Sequence, residues 1–371
     1  MRLRRSGLKT AAALAVVLSA YGAAAAAEPA ATARKASAWK TSATFGLETI
    51  YDDNFLRYSD DYLDVFHAGT DPYKFKIERQ DCHILAPSFE VEARRELVAL
   101  GETRLRFRWK RWQYVQESIK TNSGYSWYVR QFLPGGRSFE LSYSYAPEQY
   151  IRQLSDEPPW EAPSHPLVWD EFRYTRNEFA LVYRDRFSRD LTWKLDLSRT
   201  LRYYNQPFME NDIFSWGARG TLYWRARADW RVTFDYGFEH GPARGYDEVG
   251  ESLEVSDNSD PSYDQDLYQV EVAWSPKWAR RAFTSLALSG QYQAYWYTSL
   301  KSLDADPYHV GRKDNVYSLE LTLDRPVAGG VDGVFGFKFS QRTVDSPWQG
   351  DIAEDKDYDQ RRYWIGLSYK L

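Results

Sequence analysis

The chain has 371 residues, with 48 Lys and Arg against 52 Asp and Glu and a formal net charge of −4. Aromatic residues make up 17% of it, including 28 Tyr and 15 Trp, although the mean hydropathy is only −0.63. The aromatic content excludes a disordered chain. The hydropathy excludes a bundle of apolar membrane helices. The single cysteine, Cys82, excludes an internal disulfide and a Cys-based metal cluster.

Residues 1–27 have the layout of a secretory signal peptide. Arg2, Arg4, Arg5 and Lys9 form a basic start, Leu8 to Ala20 an Ala/Leu/Val stretch, and Ala25, Ala26 and Ala27 offer small residues before Glu28. An anchor helix is the weaker reading, because the stretch is Ala-rich. Its removal takes away basic charge only, and the more acidic remainder argues against nucleic acid as a partner. Residues 28–38 read as a flexible lead-in, and 39–371 as one domain.

Beyond the signal no run of 18 apolar residues occurs. Either the domain is an exported soluble sandwich, or it crosses a membrane as a closed barrel, which satisfies every backbone group without such a run. Period-2 alternation predicts fourteen strands: 39–51, 83–93, 103–115, 125–133, 138–150, 169–184, 190–204, 213–226, 230–240, 266–276, 282–297, 314–324, 333–344 and 361–371. Thr103, Leu105, Phe107 and Trp109, for example, alternate with Arg104, Arg106 and Arg108. Pro134-Gly135-Gly136-Arg137 reads as a tight turn. Longer and shorter connections alternate. The longer ones are mostly acidic and the shorter ones mostly basic, as two distinct rims would be.

The ending Tyr363-Trp364-Ile365-Gly366-Leu367-Ser368-Tyr369-Lys370-Leu371 resembles the C-terminal signal of Gram-negative outer-membrane β-barrels, with Leu371 where that family ends in an aromatic residue. Tyr51-Asp52-Asp53-Asn54-Phe55 is similar to a segment near the first strand of several such families, some linked to exopolysaccharide. At the level of architecture the resemblance covers about 39–371. It implies an all-β fold, a single antiparallel transmembrane β-barrel of about 14 strands in the bacterial outer membrane. It also implies contact with outer-membrane lipid and lipopolysaccharide. The barrel-assembly machinery would read the last strand, through Tyr363, Ile365, Leu367, Tyr369 and Leu371.

In a barrel the apolar set faces lipid: Phe45, Leu47, Phe89, Val91, Leu105, Phe107, Trp109, Phe139, Leu141, Tyr143, Trp193, Leu195, Phe234, Leu286, Leu288, Leu319, Leu321, Phe337 and Ile365. Tyr51, Trp230, Trp274, Trp296 and Tyr369 suit the membrane interfaces. The opposite face carries Glu90, Glu92, Arg104, Arg106, Arg108, Lys110, Lys194, Asp196, Arg231, Asp235, Glu271, Glu320, Lys338 and Arg342, which become the expected pore lining. A basic ladder facing acids sets up a transverse field, which favours anions beside the ladder. The same residues also suit a salt-bridge lattice that stiffens the wall.

Fourteen strands fall between filled and open barrels, and connections 52–82 and 241–265 are long enough to fold inward. The expected function is a porin-like passive channel for small hydrophilic or anionic solutes. The alternative is a surface-binding or polysaccharide-associated barrel working through acidic loops. No enzyme is expected: His67, His83, His165, His240 and His309 lie in or beside long connections, in no triad arrangement. Asp355-x-Asp357-x-Asp359 starts like a calcium loop but continues to Gln360 and Gly366, where Gly and Glu are needed. No cofactor is expected beyond loose divalent-cation binding by acidic loops. Asp52-Asp53 and Asp60-Asp61 read as solvated loop charge.

Overall fold

A computed structural model describes residues 38–69, 73–97, 101–155, 168–246, 250–253, 256, 259–279, 282–348, 350 and 352–371. The expected signal peptide lies outside them, as do His165 and all of the lead-in except Ala38.

The alternating sequence folds into fourteen strands. They are β1 (Lys40–Asp52), β2 (Cys82–Leu97), β3 (Gly101–Tyr114), β4 (Asn122–Phe132), β5 (Ser138–Ser155), β6 (Trp169–Arg186), β7 (Leu191–Tyr204), β8 (Ile213–Arg227), β9 (Trp230–Gly241), β10 (Tyr263–Trp274), β11 (Ser285–Tyr297), β12 (Lys313–Ala328), β13 (Val331–Asp345) and β14 (Tyr358–Lys370). Each pairs antiparallel with its sequence neighbours, and β1 closes on β14 from Thr44↔Lys370 to Asp52↔Arg362. The closed barrel leaves no strand edge unpaired, which is how a sheet satisfies its backbone in lipid.

Connections alternate in length. We call the longer ones L1 (53–81), L2 (115–121), L3 (156–168), L4 (205–212), L5 (242–262), L6 (298–312) and L7 (346–357). They lie at one end, and the start of β1 and the end of β14 lie with the short turns at the other. Two turns are shorter than the sequence predicts. β2 and β3 leave only 98–100 between them instead of 94–102, because Arg94 and Glu96 continue the ladder opposite Arg104 and Glu102. Charged side chains at a wet rim look like loop in a sequence, yet the backbone goes on pairing. Similarly, β12 and β13 meet at Gly329 and Gly330, both at positive φ (60° and 82°), instead of across 325–332. The β10–β11 turn is longer than predicted, because Pro276 starts a short helical turn at Lys277–Ala279.

The outer face is an apolar belt. Phe45, Leu47, Leu105, Phe139, Leu141, Leu195, Phe234, Leu288, Leu319, Leu321 and Ile365 are all exposed. Covering each such side chain with hydrocarbon is worth about 1.5–3 kcal/mol. Neighbouring strands lock the belt with ring pairs, including Phe45–Phe89 (4.9 Å), Tyr143–Phe179 (4.8 Å) and Tyr292–Tyr317 (5.1 Å). Trp230 stacks on Trp274 at the turn end, where an indole meets both lipid and water. The one charged break in β7's outer row is Arg199, between Leu197 and Leu201 and opposite Trp216. Its long stem lets the guanidinium reach the loop-end interface. No helix of the described residues is long and apolar enough to cross a membrane.

A compact apolar core sits at the loop end, inside L1. Phe55, Leu56, Tyr58, Leu63 and Ile77 pack with Cys82 of β2 and Tyr150 of β5, and Phe66, Phe75, Tyr114 and Ile119 pack around them. L1 contains the helix α1 (Asp60–Ala68). Ser59 caps its start by accepting from Tyr62 N, Asp60 and Asp61 lie in its first turn, and Gly69 ends it in the left-handed region at φ 63°.

Candidate functional site: the lumen and its mouth

β3 sets the tone of the lumen. Its inward residues stand about 6.5–7 Å apart along the strand. Arg104 bonds Glu102, Arg106 lies 4.2 Å from the Tyr128 ring centroid, Arg108 is 3.6 Å from Glu90, and Lys110 bonds Glu48 at 2.7 Å. Glu92 stands opposite Arg106 in register. Next along the wall, Arg130 pairs with Glu140 at 2.7 Å. Arg219 pairs with Asp235 at 3.0 Å, and Asp235 also accepts from Thr221 at 2.6 Å. Arg231 is 3.5 Å from Glu271, and Lys338 3.6 Å from Glu320. Lys194 and Asp196 follow each other on the inward face of β7, opposite Thr221 and Arg219.

These pairs form a lattice, but one with an uneven charge distribution. On β3–β8 the bases Arg104, Arg106, Arg108, Lys110, Arg130, Arg184, Lys194 and Arg219 outnumber the acids Glu102, Glu140 and Asp196. On β9–β14 and around to β2 the acids Asp235, Glu239, Glu271, Asp314, Glu320, Glu48, Glu90 and Glu92 outnumber the bases Arg231, Lys338 and Arg342. Within the more acidic wall, β10 and β11 contribute a neutral stripe of Gln265, Gln269, Gln291 and Gln293, ending at Tyr295 and Tyr297.

Nearer the loops the lumen narrows. Arg202 donates to Tyr263 Oη at 2.9 Å, and Tyr263 donates to Glu239 at 2.6 Å. A cavity of about 160 Å³ remains between Arg57, Gln293, Tyr295, Tyr297, Asp314, Val316, Arg342 and Tyr358.

L1 is fastened over this space from below. Asp52, with no exposed surface, accepts from Gln360 Nε2 at 2.9 Å and from Arg362 Nε at 2.6 Å. Asn54 donates to the carbonyls of Tyr58 and Asp359 at 2.8 and 2.9 Å, and Asp53 accepts from Arg361 N at 2.6 Å. The expectation of solvated charge therefore fails for Asp52 and Asp53. Their partners lie some 300 residues on, brought alongside by the β1–β14 closure. Asp60 and Asp61 are exposed, as helix-start residues. Arg57 holds φ 56°, a conformation unusual for a side-chain-bearing residue, in a turn closed by its N–H to Asn54 O.

L5 and L6 are joined to each other. Asp260 and Asp306, both fully buried, link them: Asp260 N donates to Asp306 at 2.8 Å, and Leu300 N to Asp260 at 3.0 Å. Burial raises the Asp306 carboxyl, but His309 beside it outweighs that and holds it below the usual range. L7 carries the short helix α2 (Ile352–Lys356). There Arg342 donates to Lys356 O at 2.6 Å, and Val344 N to Asp357 at 2.7 Å.

The histidines are scattered. His67 ends α1, His83 stacks beside Tyr51 on the outer face, His240 pairs with Asp264 at 2.7 Å, and His309 pairs with Asp306. Among the described residues no three His, Cys, Asp or Glu are grouped as metal ligands. The residues of the mouth, Arg57, Lys120, Arg152, Arg312 and Lys356, are not singled out by sequence reasoning. The signals that could have found them are the aromatic density of L1 and a capped helix start at Ser59.

No protein-family model matches the sequence, and no curated protein matches it. Solved structures with a similar chain trace include a loop-deletion mutant of OmpT, an outer-membrane protein of Vibrio cholerae (TM-score 0.45, 10% identity, 90% of this chain and 100% of that one). Others are an anion-selective porin from Comamonas acidovorans (0.42, 8%, 90% and 99%) and a bacterial polysaccharide outer membrane secretin (0.40, 9%, 89% and 98%). Likenesses this remote assign no cargo. By its own register and burial the chain is a closed antiparallel β-barrel of fourteen strands, apolar outside and charged within.

Proposed function

We propose that the protein is a passive channel for small hydrophilic solutes that favours anions, with an extracellular mouth narrowed by L1, L6 and L7. The observation that carries this reading is the facing of a basic wall, β3–β8, by a more acidic one. Fixed charges of opposite sign across a wet lumen orient dipolar solutes and draw anions to the basic side. Glu90, Glu92, Asp196, Asp235, Glu271 and Glu320 act as the counter-charges that keep the basic residues in place, and Arg231, Lys338 and Arg342 temper the acidic wall. The reading includes no catalytic step and no cofactor. The terminal strand, Tyr363 to Leu371, serves as the assembly signal, and Arg199 on the outer face meets lipopolysaccharide phosphate.

Planar-bilayer recording tests it. The purified barrel should conduct, and its reversal potential in a KCl gradient should favour chloride. Arg106→Gln with Lys194→Gln should move that potential toward zero. A protein that inserts and never conducts overturns the reading.

A second reading, a polysaccharide- or surface-binding barrel that works through its acidic loops, is favoured by the way L5 and L6 are knitted together at Asp260 and Asp306. Deleting 246–256 separates the two. A channel keeps or gains conductance, whereas a loop-driven binder loses its partner.

A further inference from the structure

The mouth of the barrel gathers cations, most of them partly buried and one, Arg57, exposed. Four cations reach it from four different segments: Arg57 of L1, Lys120 at the end of L2's helical turn, Arg152 of β5 and Lys356 of α2. None of the four has a carboxylate oxygen within ion-pair distance among the described residues. Their contacts are with rings and carbonyls. Arg57 lies 5.9 Å from the Tyr358 ring, and Arg152 lies 5.7 Å from the Tyr58 ring. Lys356 Nζ lies 5.1 Å from the Tyr308 ring. Lys120 Nζ donates to the carbonyls of Tyr150 and Ile151, both at 3.2 Å, and sits 5.9 Å from the Phe55 ring.

Arg152 is the hub, within electrostatic reach of both Lys120 and Lys356. The acids nearby are mostly committed elsewhere. Asp52 is held by Gln360 and Arg362, and Asp314 by Arg312 at 2.6 and 2.7 Å. Asp355 lies beside Lys356. Like charges brought together in a partly dehydrated space repel unless something of opposite sign joins them.

We propose that this convergence is a binding site for a multivalent oxyanion, phosphate or sulfate, free or carried on a sugar, seated between Arg152, Lys120, Arg57 and Lys356. A tetrahedral oxyanion offers several acceptor oxygens to donors arriving from different directions, as chloride does not. The tyrosine rings around the cations give a sugar ring a face to lie on. The two lysines agree with an anion-seeking site. Burial, with Arg152 nearby, pulls Lys120 down to about 7 and Lys356 well below its ordinary value. An arriving oxyanion restores the ammonium form, so binding near pH 8 takes up protons.

The site does not depend on conduction. Binding without conductance upholds it and defeats the channel, and conductance without binding does the reverse. The experiment is isothermal titration of the folded, full-length barrel in detergent with inorganic phosphate, glucose 1-phosphate and, as control, chloride. One equivalent of phosphate should bind, with proton uptake read from buffers of different ionisation heat. Arg152→Gln and Lys356→Gln, made singly, should each weaken binding by about tenfold. Lys277→Gln at the turn end should leave it unchanged. Heat-modifiable gel migration shows that each variant is folded. If only glucose 1-phosphate binds, and the two variants lose it, the oxyanion is one carried on a sugar. If neither phosphate binds, or binding is indifferent to both substitutions in folded protein, the site does not exist.

Discussion

The two ends of the barrel solve opposite problems. At the turn end, pairs such as Gly329 and Gly330 reverse the chain within two residues. At the loop end, L1 has its own apolar core and bolts itself to β14 through Asp52, Asp53 and Asn54. The difference teaches where control can reside. A rim of tight turns has no alternative arrangement, whereas a packed lid held by a few polar contacts has one.

Removing the lid should break the contrast most visibly. Replacing 58–77 by a short Gly-Ser linker should raise single-channel conductance several-fold, since the mouth then resembles the other end. Cys82 supplies a built-in check. It is 1% exposed beneath L1, so it should resist maleimide in the native barrel and react once L1 is gone. An unchanged conductance would remove L1 from any account of permeation.

Loosening one bolt comes next. Asp52→Ala leaves Arg362 and Gln360 without their acceptor in a buried setting, which costs about 3 kcal/mol. Urea unfolding in lipid vesicles measures it. Asp53→Ala, whose partner Arg361 is exposed, should cost far less.

Midway along the wall, stability rests on close fit. A Cβ at Gly336 would stand 2.0 Å from the Trp364 indole across β13 and β14. Gly336→Ala should therefore cost about 2 kcal/mol without altering conductance through the mouth. A gain in stability would show that Trp364 has room to turn away.

The subtlest difference is in pH response. Folded Lys120 titrates at about 7, against 10.5 for an unperturbed lysine. Between those values the unfolded chain holds a proton that the folded one has lost. Stability should thus rise as pH climbs from about 7 to about 10, with the full penalty present below 7. Lys120→Met should flatten that slope. An identical slope in the variant would assign it to other groups.

The wall was legible in the sequence because a strand writes its two environments into alternate residues. Leu105, Phe107 and Trp109 against Arg104, Arg106 and Arg108 need no distant information to be sorted. The lid is legible only as a connection, 52–82, long enough to fold inward; its fastening is not. Asp52 looks like any loop acid until Gln360 and Arg362 are brought beside it. Lys120, Arg152 and Lys356 come from segments whose convergence depends on closure of the whole cylinder. Rim positions such as Arg94 and Glu96 were misread because water satisfies their side chains while the backbone remains in the ladder.

The seam between β1 and β14 has a consequence for biogenesis. Until Tyr358–Lys370 has been synthesised, Lys40–Asp52 has no partner on one flank. Any shorter nascent product therefore carries two raw edges with unmet amide groups, which hydrocarbon does not tolerate. Entry into the bilayer must wait for the finished polypeptide. A chain shortened by its last thirteen residues should accumulate as aggregate rather than as a smaller cylinder.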